Sequence, residues 1–223
     1  VNTFPPAGHF DLWREAINVG HDVGIDAVVL ADIGVADYAA ETYPGLRRHL
    51  SVQAGAASPE AIRYFCDAYA IRRVVLPRLL TVAEIRHLCS AIPCQAEVFV
   101  FGNIGMMAEG RCSLTSYATG TSTNMDGICS PACDVRYNPI EANTTAARIG
   151  PFLIDRLSSD ERAGYPTICK GRYFRADDDT PYYAFEEPRT LNLTGMLGEL
   201  IAAGATAFKI EGRQRSRAYV AQV

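Results

Sequence analysis

Residues 81–102 read TVAEIRHLCSAIPCQAEVFVFG, and this stretch decides the fold class. Thr81 is a helix-capping residue type, and Ile85, Leu88, Cys89 and Ile92 follow at helical spacing, which predicts an amphipathic helix. The run QAEVFVFG that comes next is apolar without clean alternation, which is the pattern of a strand covered on both faces. Helix followed by buried strand is the repeating unit of a parallel α/β sheet.

The same unit recurs on both sides. FDLWREAINVGHDVG, with Leu12, Trp13, Ala16, Ile17 and Gly20 on one helical face, leads into DAVVLAD, which ends at Asp32. VADYAAETYPG leads into HLSVQA, and SPEAIRYFCDAYA, with Ser58 as N-cap, leads into RRVVLPR. After a long irregular stretch the pattern resumes with LNLTGMLGELIAAGA and then TAFKIEGR. Units cycling roughly every 23 residues fit a TIM-like (β/α) barrel better than a doubly wound sheet. Five such strands are expected, plus a stub at VNTF, so the barrel is expected to be incomplete. Val1 in place of an initiator Met reads as a cut inside a larger domain that lacks both ends.

Composition sets the remaining bounds. The chain has 223 residues, 48% of them hydrophobic, enough for one domain with a sizeable core. The apolar runs are of strand length, too short for a membrane helix, and no charged-then-apolar leader opens the chain. A cytoplasmic protein is expected. The formal net charge of −4 gives no attraction to nucleic acid, which is accordingly not favoured as a partner.

In a parallel α/β sheet chemistry collects at the C-terminal ends of strands. Those ends carry Asp32, Gln53, Arg78, Phe101 with Gly102, and the group Lys209, Glu211 and Arg213. Lys209 and Glu211 are two apart on a strand end and share a face, so with Arg213 they are the candidate catalytic residues, suited to holding a carboxylated ligand. An internal ion network tying the rim together is an equal reading of the same three residues. Glu186 and Glu187 in FEEP are adjacent, so only one can face a site, and they read as a solvated loop pair.

Seven cysteines must be sorted. Cys66 and Cys89 fall on apolar helix faces and read as small core residues, while Cys94 has no partner in motif. Cys112, Cys129, Cys133 and Cys169 lie in an irregular stretch, residues 103–175, inserted after EVFVFG. An odd count without a secretory signal argues against a disulfide framework, and clustered cytosolic cysteines are metal-ligand candidates. Structural zinc needs two close pairs, and only Cys129 and Cys133 are close. An iron–sulfur cluster tolerates scattered ligands provided four converge. Spacing leaves cluster, zinc and unmetallated thiols open.

The segment EVFVFGNIGMMAEGRCSLTSY closely resembles the signature of the peptidase U32 (collagenase-like) family. LSVQA, VVLPR, CSPA, AGYPTICKGRY, EEP followed by LN, and KIEGRQRS with AYV extend the likeness over almost the whole chain, toward members of the family that serve ubiquinone biosynthesis. The resemblance implies a [4Fe–4S] cluster on four cysteines, a heterodimer with a related family member, and oxygen-independent hydroxylation of a prenylated phenol with prephenate as hydroxyl donor. Hydroxylation of RNA bases is the alternative within the family, and a non-catalytic zinc-binding subunit the alternative outside it. Peptidase activity is doubtful, since the four histidines form no H-E-x-x-H pair and no G-x-S-x-G elbow occurs.

Three of the family's cluster ligands map onto Cys112, Cys129 and Cys169. The fourth falls on Gly105, which has no side chain to offer, and Cys133 is the substitute the sequence suggests. Asn103 and Thr115 are further departures from the pattern, standing where it has Ser or Ala and Ser.

Overall fold

The computed structural model describes residues 1–161, 164–212 and 216–223. In chain order the elements are α1 (Phe10–Asp22), β1 (Ala27–Leu30), α2 (Ile33–Thr42), β2 (Arg47–Leu50), α3 (Pro59–Tyr69), β3 (Ile71–Val75), α4 (Val82–Ala91) and β4 (Gln95–Asn103). Then follow α5 (Ser113–Thr119), α6 (Thr123–Asp126), β5 (Val135–Glu141), β6 (Thr144–Ile149), β7 (Phe152–Ser158), β8 (Arg172–Arg175) and β9 (Asp178–Tyr183). The chain closes with β10 (Thr190–Asn192), α7 (Leu197–Ala202), β11 (Ala207–Ile210) and α8 (Arg217–Gln222). Two compact units result, one of residues 1–104 and 190–223, the other of residues 105–189.

The first unit is a mixed α/β fold around a parallel sheet. Strands β1, β2, β3 and β4 lie side by side in sequence order, and β11 joins β4 in parallel. The helices begin where side chains satisfy their free N–H groups. Ser58 Oγ accepts from Ala61 N, Asp32 Oδ1 from Val35 N, and Thr81 with Glu84 forms a reciprocal capping box. Their apolar stripes, including Ile17, Val35, Ile62, Ile85, Leu88 and Leu200, pack with Leu30, Leu50, Val74, Leu76, Val98 and Val100 of the sheet.

Three expectations change here. VNTF forms no strand; instead Thr3 offers its carbonyl to Trp13 Nε1 at 3.0 Å. The strand over HLSVQA ends at Leu50, because Ser51 Oγ accepts from Gln53 N and starts a 3-10 turn over Val52–Ala54. The expected helix over LNLTGMLGELIAAGA starts at Leu197, because Thr190–Asn192 pairs antiparallel with Phe101–Asn103 as β10.

The helix packing is also one-sided. Side chains alternate along a strand, so residues 28, 30, 74, 96, 98 and 100 face the helices while 49, 73, 97, 99 and 209 face away. That second face bears a small apolar cluster of Val75, Phe99 and Leu191 beside charged residues, rather than the second apolar layer the strand pattern predicts.

The second unit holds the short helices α5 and α6, the antiparallel sheet β5-β6-β7 and the hairpin β8-β9. Its core is Ile149, Ile154 and Ile168, with Leu114, Ala118, Val135 and Tyr173 packed on it.

Candidate functional site

On the sheet unit, polar strand residues pair with one another. Lys209 Nζ donates to Glu97 Oε1 at 2.8 Å, and Arg73 NH1 lies 3.4 Å from Glu97 Oε2. One turn of chain further on, Arg78 forks onto both oxygens of Glu211 at 3.1 and 3.3 Å and lies over the Phe99 ring at 3.9 Å. Asn103 N donates to Glu211 Oε2 at 2.7 Å. Gly102, at φ +144°, makes room for this, since a Cβ there would stand 2.5 Å from Glu211 Cβ. Lys209 and Glu211 therefore take part in an ion network. Arg213 lies outside the described residues.

Of the other rim residues, Asp32 caps α2, and Gln53 is only 8% exposed with Oε1 unpartnered among the described residues. His49 is half-buried, and burial, then Arg73, lowers its pKa. Glu97 and Arg73 were not marked by the sequence, because a single Glu inside an apolar run gives no sign that its face is charged.

The second unit carries the four cysteines of the insertion. Cys112 precedes α5, and its N–H donates to Thr123 Oγ1 at 3.1 Å. Thr115, 1% exposed, is one turn into α5; its hydroxyl donates to Cys129 O at 2.8 Å and lies 3.4 Å from Cys112 Sγ. One hydroxyl thus links the chain at Cys112 to the chain at Cys129. Beside them, Ser130 is 1% exposed and its Oγ has no partner among the described residues, while its carbonyl accepts from Tyr165 OH at 3.0 Å.

Cys169 sits in the 3-10 turn Ile168–Lys170, which packs against α5, and Ile168 and Leu114 share the unit's core. Burial pushes its thiol up to about 12, and the neighbouring Glu186 carboxylate adds to the rise. Glu186 N–H donates to Cys169 O at 3.2 Å, and Glu186 Oε1 is buried with no partner among the described residues. The expected solvated pair is therefore split: Glu186 turns inward, whereas Glu187 is exposed and bridges to Arg189 at 3.3 Å.

Cys133 is placed differently. Its side chain is exposed and Sγ donates to the neighbouring Asp134 Oδ2 at 3.4 Å. Among the described residues no three His, Cys, Asp or Glu side chains converge on one point as a metal-holding group. Buried hydroxyl and carboxyl oxygens at Ser130 and Glu186 lack partners among the described residues.

A cleft of about 330 Å³ flanks the Cys169 turn, lined by Tyr165, Thr167, Lys170, Arg172 and Tyr183. Arg172 is fully engaged in its wall, 2.7 Å from Asp155 and 2.6 Å from Glu161. Arg172 holds the exposed Glu161 carboxyl down to about 2, whereas burial raises Asp155 in spite of the same guanidinium.

The remaining thiols belong to the sheet unit. Cys66, Cys89 and Cys94 pack against its core, as the apolar spacing of the first two predicts. Burial pushes Cys94 up to about 12, and its neighbour Cys66 adds to the rise.

Fold and site together define a mixed α/β protein with a parallel sheet and a separate cysteine-bearing unit within its chain. Peptidase family U32 matches residues 1–223, and the chain belongs to that family. Among curated relatives, the tRNA hydroxylation protein P of Escherichia coli is 27% identical over 90% of this chain and 47% of its own length. The 23S rRNA 5-hydroxycytidine C2501 synthase of the same organism is 25% identical over 91% of this chain and 25% of its own. A collagenase of Porphyromonas gingivalis is 26% identical over 99% of this chain and 47% of its own. The chain thus spans about half the length of the tRNA hydroxylation protein it matches. Hydroxylation is the activity named for two of these relatives. No helix among the described residues is long and apolar enough to cross a membrane.

Proposed function

We propose that this chain is the iron–sulfur component of an oxygen-independent hydroxylase, a counterpart of UbiU that acts in ubiquinone biosynthesis as a heterodimer with a UbiV-like protein. The observation that carries the proposal is the Thr115 hydroxyl placed against both Cys112 Sγ and the Cys129 carbonyl, on a helix that packs against the Cys169 turn. Cys112, Cys129 and Cys169 are the proposed cluster ligands, and Cys133 is the sequence's candidate for the fourth. Bound there, a [4Fe–4S] cluster would supply an electron path or polarise the hydroxyl donor.

The chain's own groups have definite parts in this reading. Thr115 holds two ligand-bearing segments together. For a carboxylated donor such as prephenate, Lys209, Glu211 and Arg213 are the candidate contacts, Lys209 by exchanging its ion pair with Glu97 for the ligand carboxylate and Glu211 by accepting from a ligand hydroxyl. A polyprenyl phenol is almost wholly apolar, so the UbiV-like partner would help present it. Strands in sequence order with helices packed on one face favour a singly wound, barrel-type sheet over a doubly wound one, whose strand order would reverse.

RNA-base hydroxylation is the second reading. The names of two relatives favour it, as do the arginine–aromatic pairs of the cysteine-bearing unit, Arg156 over Phe174 at 4.4 Å and Arg175 over Tyr182 at 5.8 Å. Anaerobic purification followed by a visible spectrum and iron and sulfide analysis tests the cluster. A colourless protein holding zinc or no metal sinks both readings. Quinone profiles and hydroxylated nucleosides from an anaerobically grown deletion strain then separate the substrates. Unchanged quinone with loss of a hydroxynucleoside would overturn the first reading in favour of the second.

A further inference from the structure

The cleft of about 330 Å³ lies wholly within the cysteine-bearing unit, and hydrogen bonds hold its frame. At one lip Gly164 O accepts from Tyr137 OH at 2.9 Å, and the Tyr165 hydroxyl is tied to Ser130 O at 3.0 Å. Tyr183 stands opposite Arg172 in the register of β8 and β9, so the hairpin sets its place. Both tyrosines are nevertheless open to solvent, at 48% and 39% exposure. Pro166 and Pro188 stiffen the backbone of the lining, and Ile154 and Leu157 add apolar surface. A frame held in this way loses little freedom when a ring stacks on it.

The two cations of the lining differ in what they can offer. Arg172 gives Nε to Asp155 and NH1 and NH2 to Glu161, one guanidinium against two carboxylates, so this wall has no free cation and a surplus negative charge. Lys170 is placed otherwise. Its ammonium has three N–H donors, and its described partner is a single neutral acceptor, Arg189 O at 3.0 Å. Its charge therefore has no carboxylate to answer it among the described residues. A lone ammonium suits one carboxylate, the surplus charge beside Arg172 repels a dianion, and the open tyrosine rings suit a flat apolar body. The volume, near the lower end for small-molecule sites, fits one ring with its substituents.

We propose that this cleft binds a small aromatic monocarboxylate, its carboxylate on Lys170 Nζ and its ring against Tyr165 and Tyr183. The site calls for no metal and stands whether or not the cysteines carry a cluster. It also belongs to a different unit from Lys209 and Glu211, the strand-end contacts named above for a carboxylated donor.

The test is titration of the chain with benzoate, followed by calorimetry and by NMR shifts. Saturable binding is expected, with shifts at Tyr165, Lys170 and Tyr183, and with affinity about tenfold or more weaker in Lys170→Gln. Tyr183→Ala should bind more weakly too. Benzamide, which keeps the ring without the charge, acetate, which keeps the charge without the ring, and phenyl phosphate, largely a dianion at about pH 7.5, should all bind less well than benzoate. No saturable binding of benzoate below about 10 mM would overturn the proposal, as would equal affinity for benzamide or tighter binding of phenyl phosphate. Binding lost in Lys209→Gln but kept in Lys170→Gln would overturn it in favour of the strand ends. The wild-type shifts need no variant, so shifts confined to the sheet unit refute the proposal even where Lys170→Gln fails to fold.

Discussion

The two units use the same residue type for different ends. In the sheet unit, Cys66, Cys89 and Cys94 pack against the hydrophobic core and have no charged side chain as a hydrogen-bond partner among the described contacts. In the other unit, Cys112, Cys129 and Cys169 lie on turns and helix ends, next to hydroxyls of Thr115, Ser130 and Thr167 and the carboxylate of Glu186. The difference lies in the neighbours. A thiol among methyl groups is a small apolar filler, whereas the thiols of the other unit stand near polar groups, two of which, Ser130 Oγ and Glu186 Oε1, lack partners among the described residues.

The largest effect should separate the two sets outright. Single replacement of Cys112, Cys129 or Cys169 by Ala should abolish most bound iron after anaerobic reconstitution, while Cys66→Ala and Cys89→Ala should leave iron unchanged and lower stability by about 1 kcal/mol. Normal iron in Cys129→Ala would erase the contrast.

The next test concerns the two cores. Ile62, fully buried in the sheet unit, and Ile154, 1% exposed in the other, should each cost about 2–5 kcal/mol on replacement by Ala. Hydrogen exchange read residue by residue should place the first loss in residues 1–104 and 190–223 and the second in residues 105–189. A loss spread evenly over both by either variant would show one cooperative unit instead of two. A smaller change is expected from Thr81→Ala, which removes the capping box of α4 and should cost about 1 kcal/mol in a denaturant melt. Since no cysteine ligand lies on α4, iron content should not follow.

Most of the sheet unit was legible because its information is local. Helix caps at Ser58 and Thr81 and the apolar runs of β1, β3 and β4 each declare themselves within a few residues. One misreading came where a distant partner decides: Leu191 lies in a strand because Gly102 is opposite it, not because of its own neighbours. The site was legible to the extent that motifs carry it. Cysteine positions could be read, but that Glu186 faces inward while Glu187 faces out depends on a hydrogen bond to Cys169 seventeen residues earlier in the chain. Likewise, the charge on the helix-free face emerges only when β2, β3, β4 and β11 are set side by side.

That face supplies the smallest effect, and one that distinguishes the sheet unit by pH. His49 on β2 has Arg47 on its own strand, Arg73 on β3, Glu97 on β4 and Lys209 on β11 as its charged surroundings. Burial is the chief reason its pKa is lowered; Arg73, Arg47 and Lys209 act in the same direction, and Glu97 opposes them. With the folded pKa below the unfolded value of about 6.5, the unfolded chain binds more protons around and below that pH. The contribution of His49 to stability is therefore complete above about pH 6.5 and falls as the pH drops through that value toward the folded pKa. Other groups titrate in the same range, so the quantity to measure is the stability difference between wild type and His49→Gln, by urea unfolding at about pH 7.5 and about pH 5.5. Glutamine cannot charge, so wild type should lose stability relative to the variant on acidification. A difference that stays constant with pH would mean that His49 is as well solvated in the folded sheet as in the unfolded chain, and that the helix-free face is open to water in the way the other unit's turns are.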